Sequence, residues 1–155
     1  MTKTSILLSR RLNRNNIMAI SLGIVYLWFG LLKFYPHLSP AEDIAKDTIS
    51  ILFLETISSN WSLTLLAFWE TCIGLLLIIN YYQQLALFFA LAHISLTFTP
   101  FFVFPELTFN DLPFSLTLLG QYIVKNIIII SVIISLLVRT YKSSQNQTIT
   151  TNSTY

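Results

Sequence analysis

The feature that most constrains this chain is a series of four long apolar segments separated by short polar connections. About 20 apolar helical residues cross a hydrocarbon core of about 30 Å, and in lipid a helix satisfies its own backbone hydrogen bonds. Of the 155 residues, 54% are hydrophobic and 10% are charged, unlike an ordinary soluble domain. The sequence therefore predicts an all-α membrane protein, a single four-helix transmembrane bundle in residues 1–142, with spans at about 17–35, 61–80, 84–104 and 114–138.

Charged residues are distributed unevenly along the chain. Basic residues flank its two ends, namely Lys3, Arg10, Arg11, Arg14, Arg139 and Lys142. Acidic residues crowd the two longer connections, namely Glu42, Asp43, Asp47, Glu55, Glu106 and Asp111. This pattern predicts that both termini are cytoplasmic and that the first span is an uncleaved anchor. The cations lie beside membrane spans, so the lipid bilayer is the expected partner and nucleic acid is not.

The connections carry their own structural signals. Ser39, Pro40 and Glu42 form a capping-box pattern that predicts an amphipathic surface helix over residues 40–56 on the outer side of the membrane. The connection near residues 99–113 contains three prolines and is expected to fold back onto the bundle. Residues 143–155 form a polar, low-complexity tail that is predicted to be disordered.

Each predicted span carries one ionisable residue: Lys33, Glu70, His93 or Lys125. A charge at the bilayer centre costs about 2.5 to 3.5 kcal/mol, so these side chains are expected to face a shared interior. Small or polar residues recur at helical spacing beside them, including Gly23, Tyr26, Gly30, Ala67, Gly74, Ala86, Ala90, Thr97, Thr117 and Gln121. We expect Glu70 to pair with Lys125 and His93 to lie within reach of one of them. Gln121 is expected to bind the polar atoms that these contacts leave unpaired. Lys33 lies toward its span's outer end, from which its stem reaches either the cluster or the headgroups.

Two interpretations of this polar set stay open. It is either a structural ion pair that fixes helix register or a functional pocket, and two lysines against one glutamate would then favour an anionic or electron-rich ligand. Haem, metal and hydrolase sites fit less well, because the second histidine, His37, lies outside the spans and too few ligands or triad members share a depth. Cys72 is the only cysteine, which excludes dithiol chemistry within one chain.

Several segments of the chain resemble the DoxX family of bacterial membrane proteins, including its YkgB-like members. The resemblance covers nearly all of residues 17–138, and its most specific parts are G-x-x-K at Gly30 and Lys33, W-E at Trp69 and Glu70, and G-Q-Y-x-x-K-N at residues 120–126, which includes Asn126. It implies a four-helix bundle of the bacterial inner membrane. The family is linked to quinone-dependent oxidation and to stress defence, but this implies no single reaction.

Three functions follow as hypotheses, and the sequence does not decide whether the protein is an enzyme. The first is a membrane subunit of a redox or stress-defence system that binds a quinone-like molecule through Lys33, Glu70, His93, Gln121, Lys125, Tyr26, Trp69 and Asn126. The alternative is a non-catalytic scaffold that anchors a partner protein. A small transporter is the third, although four continuous helices give little room for alternating access. A redox partner and a homo-oligomer are left open.

Overall fold

A computed structural model of the chain describes residues 14–35, 42–52, 59–110 and 114–152. These residues are mostly α-helical, and within them the only β pairing is an isolated bridge between Phe109 and Leu116. The helices in chain order are α1 (Arg14–Leu32), α2 (Glu42–Leu52), α3 (Ser59–Ile79), α4 (Gln83–Leu96), α5 (Pro100–Val103), α6 (Pro105–Thr108) and α7 (Leu118–Asn152).

Within the described residues, three helical segments are long and apolar enough to cross a membrane: Trp61–Ile79, Gln83–Val103 and Leu118–Tyr141. The predicted all-α membrane character is therefore confirmed. A fourth apolar helix, Ile17–Leu32, is shorter, and at 1.5 Å per residue it covers only about 24 Å. Residues 33–35 form a turn rather than the last turn of the helix, so the predicted span 17–35 is too long and the count of four crossings stays a prediction.

Glycines bring α1 and α3 into close contact. A Cβ on Gly74 would lie 2.6 Å from the backbone nitrogen of Leu27, and one on Gly30 would lie 2.8 Å from the backbone nitrogen of Thr71. A Cβ on Gly23 would lie 2.8 Å from the backbone oxygen of Gly74. Early residues of α1 thus meet late residues of α3, so the two helices are antiparallel, and only glycine permits this separation.

The helix α4 returns beside α3 after the short turn 80–82, as the sequence predicts. It ends earlier than the predicted limit of residue 104, because Pro100 has no N–H to donate to the carbonyl of Leu96. The N–H of Thr99 donates to that carbonyl instead, at 3.0 Å, and tightens the chain into a turn over residues 97–99 before α5. The third apolar segment is therefore a broken helix.

The connection before α7 folds back onto that helix, which confirms the expectation. The hydroxyl of Thr117 donates to the carbonyl of Leu107 at 2.7 Å and accepts the N–H of Gly120 at 3.2 Å, so Thr117 caps α7. The carbonyl of Thr108 packs directly against Gly120. Because residues 115–117 are used in this pairing and cap, α7 begins at Leu118 and not at the predicted residue 114.

The C-terminal part of α7 differs from the sequence prediction. The helix continues to Asn152, so residues 143–152 are helical where a disordered tail was expected. Each residue added to an existing helix gains one backbone hydrogen bond without a new nucleation cost, and the long apolar part of α7 supplies that nucleus.

The surface helix α2 covers the middle of its predicted range 40–56 and packs on α3 and α5. Thr48 is buried, whereas Asp43 and Asp47 are exposed, as expected for an amphipathic helix. Its proposed cap, Ser39 and Pro40, lies outside the described residues. The core between the long helices combines residues of all four: Ala19, Leu22, Tyr26, Ile73, Leu77, Ala86, Leu87, Ala90, Ile94, Ile133 and Leu136.

Candidate functional site

Glu70 lies at the centre of the candidate site. It occupies the middle of the apolar segment Trp61–Ile79 and is only 5% exposed. Its Oε2 accepts a hydrogen bond from Lys33 Nζ at 2.6 Å, and its Oε1 lies 3.2 Å from His93 Nε2. Each carboxylate oxygen therefore has its own partner, one from the turn after α1 and one from α4. A buried charge needs this compensation, because an unpaired carboxylate is strongly disfavoured away from water.

Lys33 reaches Glu70 because α1 and α3 approach closely at Gly30. A Cβ on Gly30 would lie 3.1 Å from the Cβ of Glu70. Lys33 is in the turn after α1, with its N–H bonded to the carbonyl of Gly30 at 3.2 Å. The stem of Lys33 then runs to the cluster, and its Nζ also lies 3.5 Å from the carbonyl of Phe29. The sequence allowed Lys33 to reach either the buried polar residues or the lipid headgroups, and the structure shows it at the buried polar residues.

Tyr26 extends the chain of contacts beyond His93. Its hydroxyl donates to the carbonyl of Ala90 at 2.9 Å, and the same oxygen lies 3.4 Å from His93 Nδ1. The rings of Tyr26 and His93 meet edge to face with centroids 5.6 Å apart. A continuous row of polar groups therefore joins Lys33, Glu70, His93 and Tyr26 across three helices; we call these four residues the polar row.

The expected pairing of Glu70 with Lys125 is wrong. Lys125 and Gln121 are exposed on α7, and among the described residues Glu70 pairs with Lys33 and His93 instead. Lys125 Nζ lies 4.8 Å from the ring centroid of Tyr122, on the same outward side. Ile123 is buried against the bundle, and a residue two positions further along a helix points to a nearly opposite side, so Lys125 faces outward.

Gln121 also lies apart from the polar row. Its side-chain amide donates to the carbonyl of Leu116 at 3.4 Å, one turn back along the chain. The predicted excess of one positive charge depended on Lys125. With that residue outside, Lys33 and Glu70 balance each other whenever His93 is neutral.

The two remaining predicted residues lie near the helices that form the polar row. Asn126 donates to the hydroxyl of Thr97 at 2.8 Å and so joins α7 to the turn that follows α4. Trp69 is 41% exposed, and its ring packs edge to face on Phe89 of α4 at a centroid distance of 4.9 Å. Trp69 and Phe89 thus bridge the same pair of helices as Glu70 and His93.

The sequence did not point to Phe89 or to the carbonyl of Ala90 as parts of this region. Phe89 is one of 12 phenylalanines in the chain, and no pattern separates it from the others. A backbone carbonyl carries no residue-specific signal. Ala90 was expected only as a small residue on the inner face of its helix, and that small size lets Tyr26 approach.

The polar row contains groups that can exchange a proton. A carboxylate, an imidazole and a phenol are joined through hydrogen-bonding atoms, and imidazole is the side chain that most readily gains and loses a proton near neutral pH. Within the described residues, no three His, Cys, Asp or Glu side chains come together as a metal site would need.

Comparisons with protein-family models, with curated proteins and with solved structures give no match for this chain.

Proposed function

We propose that the protein is a four-span, DoxX-like protein of the bacterial cytoplasmic membrane with both termini in the cytoplasm. The short helix Ile17–Leu32 is the fourth crossing in this proposal. Its packing supports this, since it runs antiparallel to the membrane-length segment of α3 and touches it at both Gly23 and Gly30. The turn at residues 33–35 adds length at one end, and a bilayer thins to match a short span at small cost.

We further propose that the polar row binds a small, lipid-soluble, carbonyl-bearing molecule of the quinone class and exchanges a proton with it. The observation that carries this proposal is the contact between Glu70 Oε1 and His93 Nε2 in the middle of the apolar segments. A purely structural ion pair needs one cation for Glu70, and Lys33 already supplies it at 2.6 Å. The added histidine gives the site a group that can donate and accept a proton.

The surroundings of the polar row suit a flat ring. Trp69 and Phe89 form an aromatic pair between the same two helices, and Trp69 is 41% exposed, so a ligand that approaches from outside the bundle could reach its ring. Apolar and aromatic walls with a few convergent polar groups are typical of small-molecule sites. The proposal assigns no hydrogen bond at this site to Lys125 or Gln121, because both side chains face away from it.

Two measurements test the ligand proposal. Protein purified from its own membrane in mild detergent, without added lipid, is extracted and its quinone content is determined. Binding of a short-chain benzoquinone is then followed by quenching of the fluorescence of the three tryptophans. We expect retained quinone in the wild type and at least a tenfold loss of affinity in Glu70→Gln and His93→Gln.

Glu106→Gln is the matched control, because Glu106 is exposed on α6 and forms no ion pair with the residues of the polar row. It should bind the benzoquinone as the wild type does. If wild-type protein retains no quinone across several mild detergents and shows no quenching, the ligand proposal is wrong.

The scaffold is the second candidate, and the shape of α2 favours it. Asp43 and Asp47 are exposed on a helix whose other side packs on the bundle. Such an acidic face suits a partner with a basic surface. In a strain that lacks the protein, the double variant Asp43→Lys/Asp47→Lys should then fail to restore the wild-type phenotype, whereas Glu70→Gln should restore it. The quinone proposal predicts the reverse, with both proteins inserted and abundant.

A further inference from the structure

The hydrogen positions in the polar row can be worked out from which atoms are able to donate. A backbone carbonyl oxygen only accepts, so the contact of 2.9 Å between Tyr26 and Ala90 requires the tyrosine hydrogen to point at that carbonyl. The oxygen of Tyr26 is then available only as an acceptor. His93 Nδ1, 3.4 Å away, must therefore carry a hydrogen to interact favourably with it.

The contact between His93 Nε2 and Glu70 Oε1 must also contain a hydrogen, since two lone pairs at 3.2 Å would repel. Two arrangements satisfy this condition together with a hydrogen on Nδ1. Either Nε2 carries the hydrogen and the ring is an imidazolium beside a carboxylate, or Glu70 carries it and the ring is neutral with its hydrogen on Nδ1. Both arrangements contain the same number of protons and differ only in the position of one hydrogen between two atoms.

We infer that Glu70 and His93 hold one exchangeable proton between Oε1 and Nε2, and that Tyr26 is the positioning residue that keeps Nε2 available for it. With Lys33 ionised, the polar row carries one positive charge when this proton is present and none when it has left. The inference rests on the proton exchange proposed above but not on the identity of the ligand.

Release of the proton has a structural consequence. Loss of the shared proton leaves the ring hydrogen on Nδ1 and two lone pairs facing each other between Nε2 and Oε1. The ring therefore changes tautomer by exchange with the ligand or water: Nδ1 gives up its hydrogen and Nε2 gains one, which donates to the carboxylate of Glu70. Nδ1 becomes an acceptor, so the hydroxyl of Tyr26 turns from the carbonyl of Ala90 toward Nδ1. One proton thus leaves to the ligand or to water, and one hydroxyl hydrogen changes its acceptor, with no change in Lys33.

The groups that face His93 come from two helices. Tyr26 contacts it directly from α1, with Lys33 behind Glu70, and Glu70 contacts it from α3. From α7, which also packs on α4, the charged side chain nearest in sequence to the Asn126–Thr97 contact is Lys125, and it faces outward over Tyr122. Among the described residues, no other ionisable side chain forms an ion pair with His93.

Nitrogen NMR of histidine-labelled protein in lipid tests this inference, because protonated and bare ring nitrogens give separate signals. A His37→Gln background leaves His93 as the only histidine. At neutral pH we expect a hydrogen on Nδ1 of His93. In Tyr26→Phe, where Nδ1–H loses its acceptor, the ratio of Nδ1-protonated to Nδ1-bare histidine should fall about three- to tenfold, which corresponds to the loss of one hydrogen bond.

Tyr122→Phe is the matched control, since it removes a tyrosine hydroxyl from the exposed side of α7, and it should leave the His93 signals unchanged. A bare Nδ1 in the wild type would overturn the inference even if Tyr26→Phe did not fold. An unchanged ratio in folded Tyr26→Phe would overturn the role of Tyr26. If the wild-type protein binds no quinone but carries a hydrogen on Nδ1 of His93, the ligand proposal alone is refuted. Failure of the ligand proposal and failure of the proton inference are therefore distinguishable.

Discussion

The ion pair between Lys33 and Glu70 should dominate the stability of the contact between α1 and α3. Its atoms are 2.6 Å apart, and the two side chains are 8% and 6% exposed. At an effective dielectric constant of about 20, the attraction at this separation is about 6 kcal/mol before desolvation is subtracted. Glu70→Met leaves Lys33 buried and uncompensated, so it should lower the free energy of unfolding by about 3 to 5 kcal/mol. Lys33→Met leaves Glu70 with His93 as its remaining partner, so it should cost about 2 to 3 kcal/mol.

The double variant separates attraction from burial. Replacing both residues by methionine removes both charges and keeps similar volume, so only the hydrogen bond of His93 to Glu70 is lost and the cost should be about 1 to 2 kcal/mol. The sum of the single effects then exceeds the effect of the double variant by at least about 3 kcal/mol. This difference is the coupling energy of the pair.

Equilibrium unfolding in mixed micelles of a mild detergent and SDS provides the free energies for the four proteins. The pair Glu42–Lys46 on α2 is the matched control, because its atoms are 2.7 Å apart but its side chains are more exposed, at 12% and 24%. One turn apart on a surface helix, this pair should show a coupling of only about 0.5 kcal/mol. If the effects of Lys33→Met and Glu70→Met add to within about 0.5 kcal/mol, the reasoning about the buried pair is refuted.

Three further predictions use the same unfolding assay. Gly74→Leu should lower the free energy of unfolding by at least about 2 kcal/mol, because the new leucine side chain meets the backbone of α1. The control Leu75→Phe, on the exposed side of α3, should change it by less than about 0.5 kcal/mol. Equal effects of the two variants would contradict the glycine contact. Asn126→Ala should lower the free energy of unfolding by about 0.6 to 1.7 kcal/mol, because it removes the hydrogen bond to Thr97. An unchanged free energy of unfolding would show that this bond does not stabilise the fold. Lys125→Met should stay within about 0.5 kcal/mol of wild type, and a loss as large as that of Lys33→Met would restore the pairing expected from the sequence.

The sequence predicted the inner faces of α1, α3 and α4 because one side of each of these helices carries small or polar residues and the other sides are apolar. On α1 and α3, glycines and alanines recur with Tyr26 and Glu70 on one side, and the same pattern leads to His93 on α4. A single ionisable group beside small residues fixes which side of an apolar helix must face inward. The structure places these three side chains together in the polar row.

The rotation of α7 could not be read from the sequence. Its central part is a run of isoleucines that is apolar on every side, so the polar stripe of Thr117, Gln121 and Lys125 was the guide to its inner face. The structure instead buries Ile123, Ile133 and Leu136, and a lysine with a long stem can remain on the outside of a membrane helix by extending toward the interface. Burial of charge therefore held for Glu70 and Lys33, which pair with each other, and failed for Lys125.

The end of α1 raises a related point about depth. Sequence position placed Lys33 near the end of its span and left its partner open. The close packing at Gly30 decides the question, because it brings α1 near enough for the stem of Lys33 to return to Glu70. Such a contact between two helices depends on their separation, which apolar periodicity alone does not specify.

The identity of the lysine that pairs with Glu70 tests the central claim most directly. Solid-state NMR in lipid bilayers can measure the dipolar coupling between lysine Nζ and glutamate side-chain carboxyl carbons, in a Lys46→Gln background that removes the pair on α2. The structure predicts a strong coupling that disappears in Lys33→Met and persists in Lys125→Met. A coupling that persists in Lys33→Met and disappears in Lys125→Met would contradict the account.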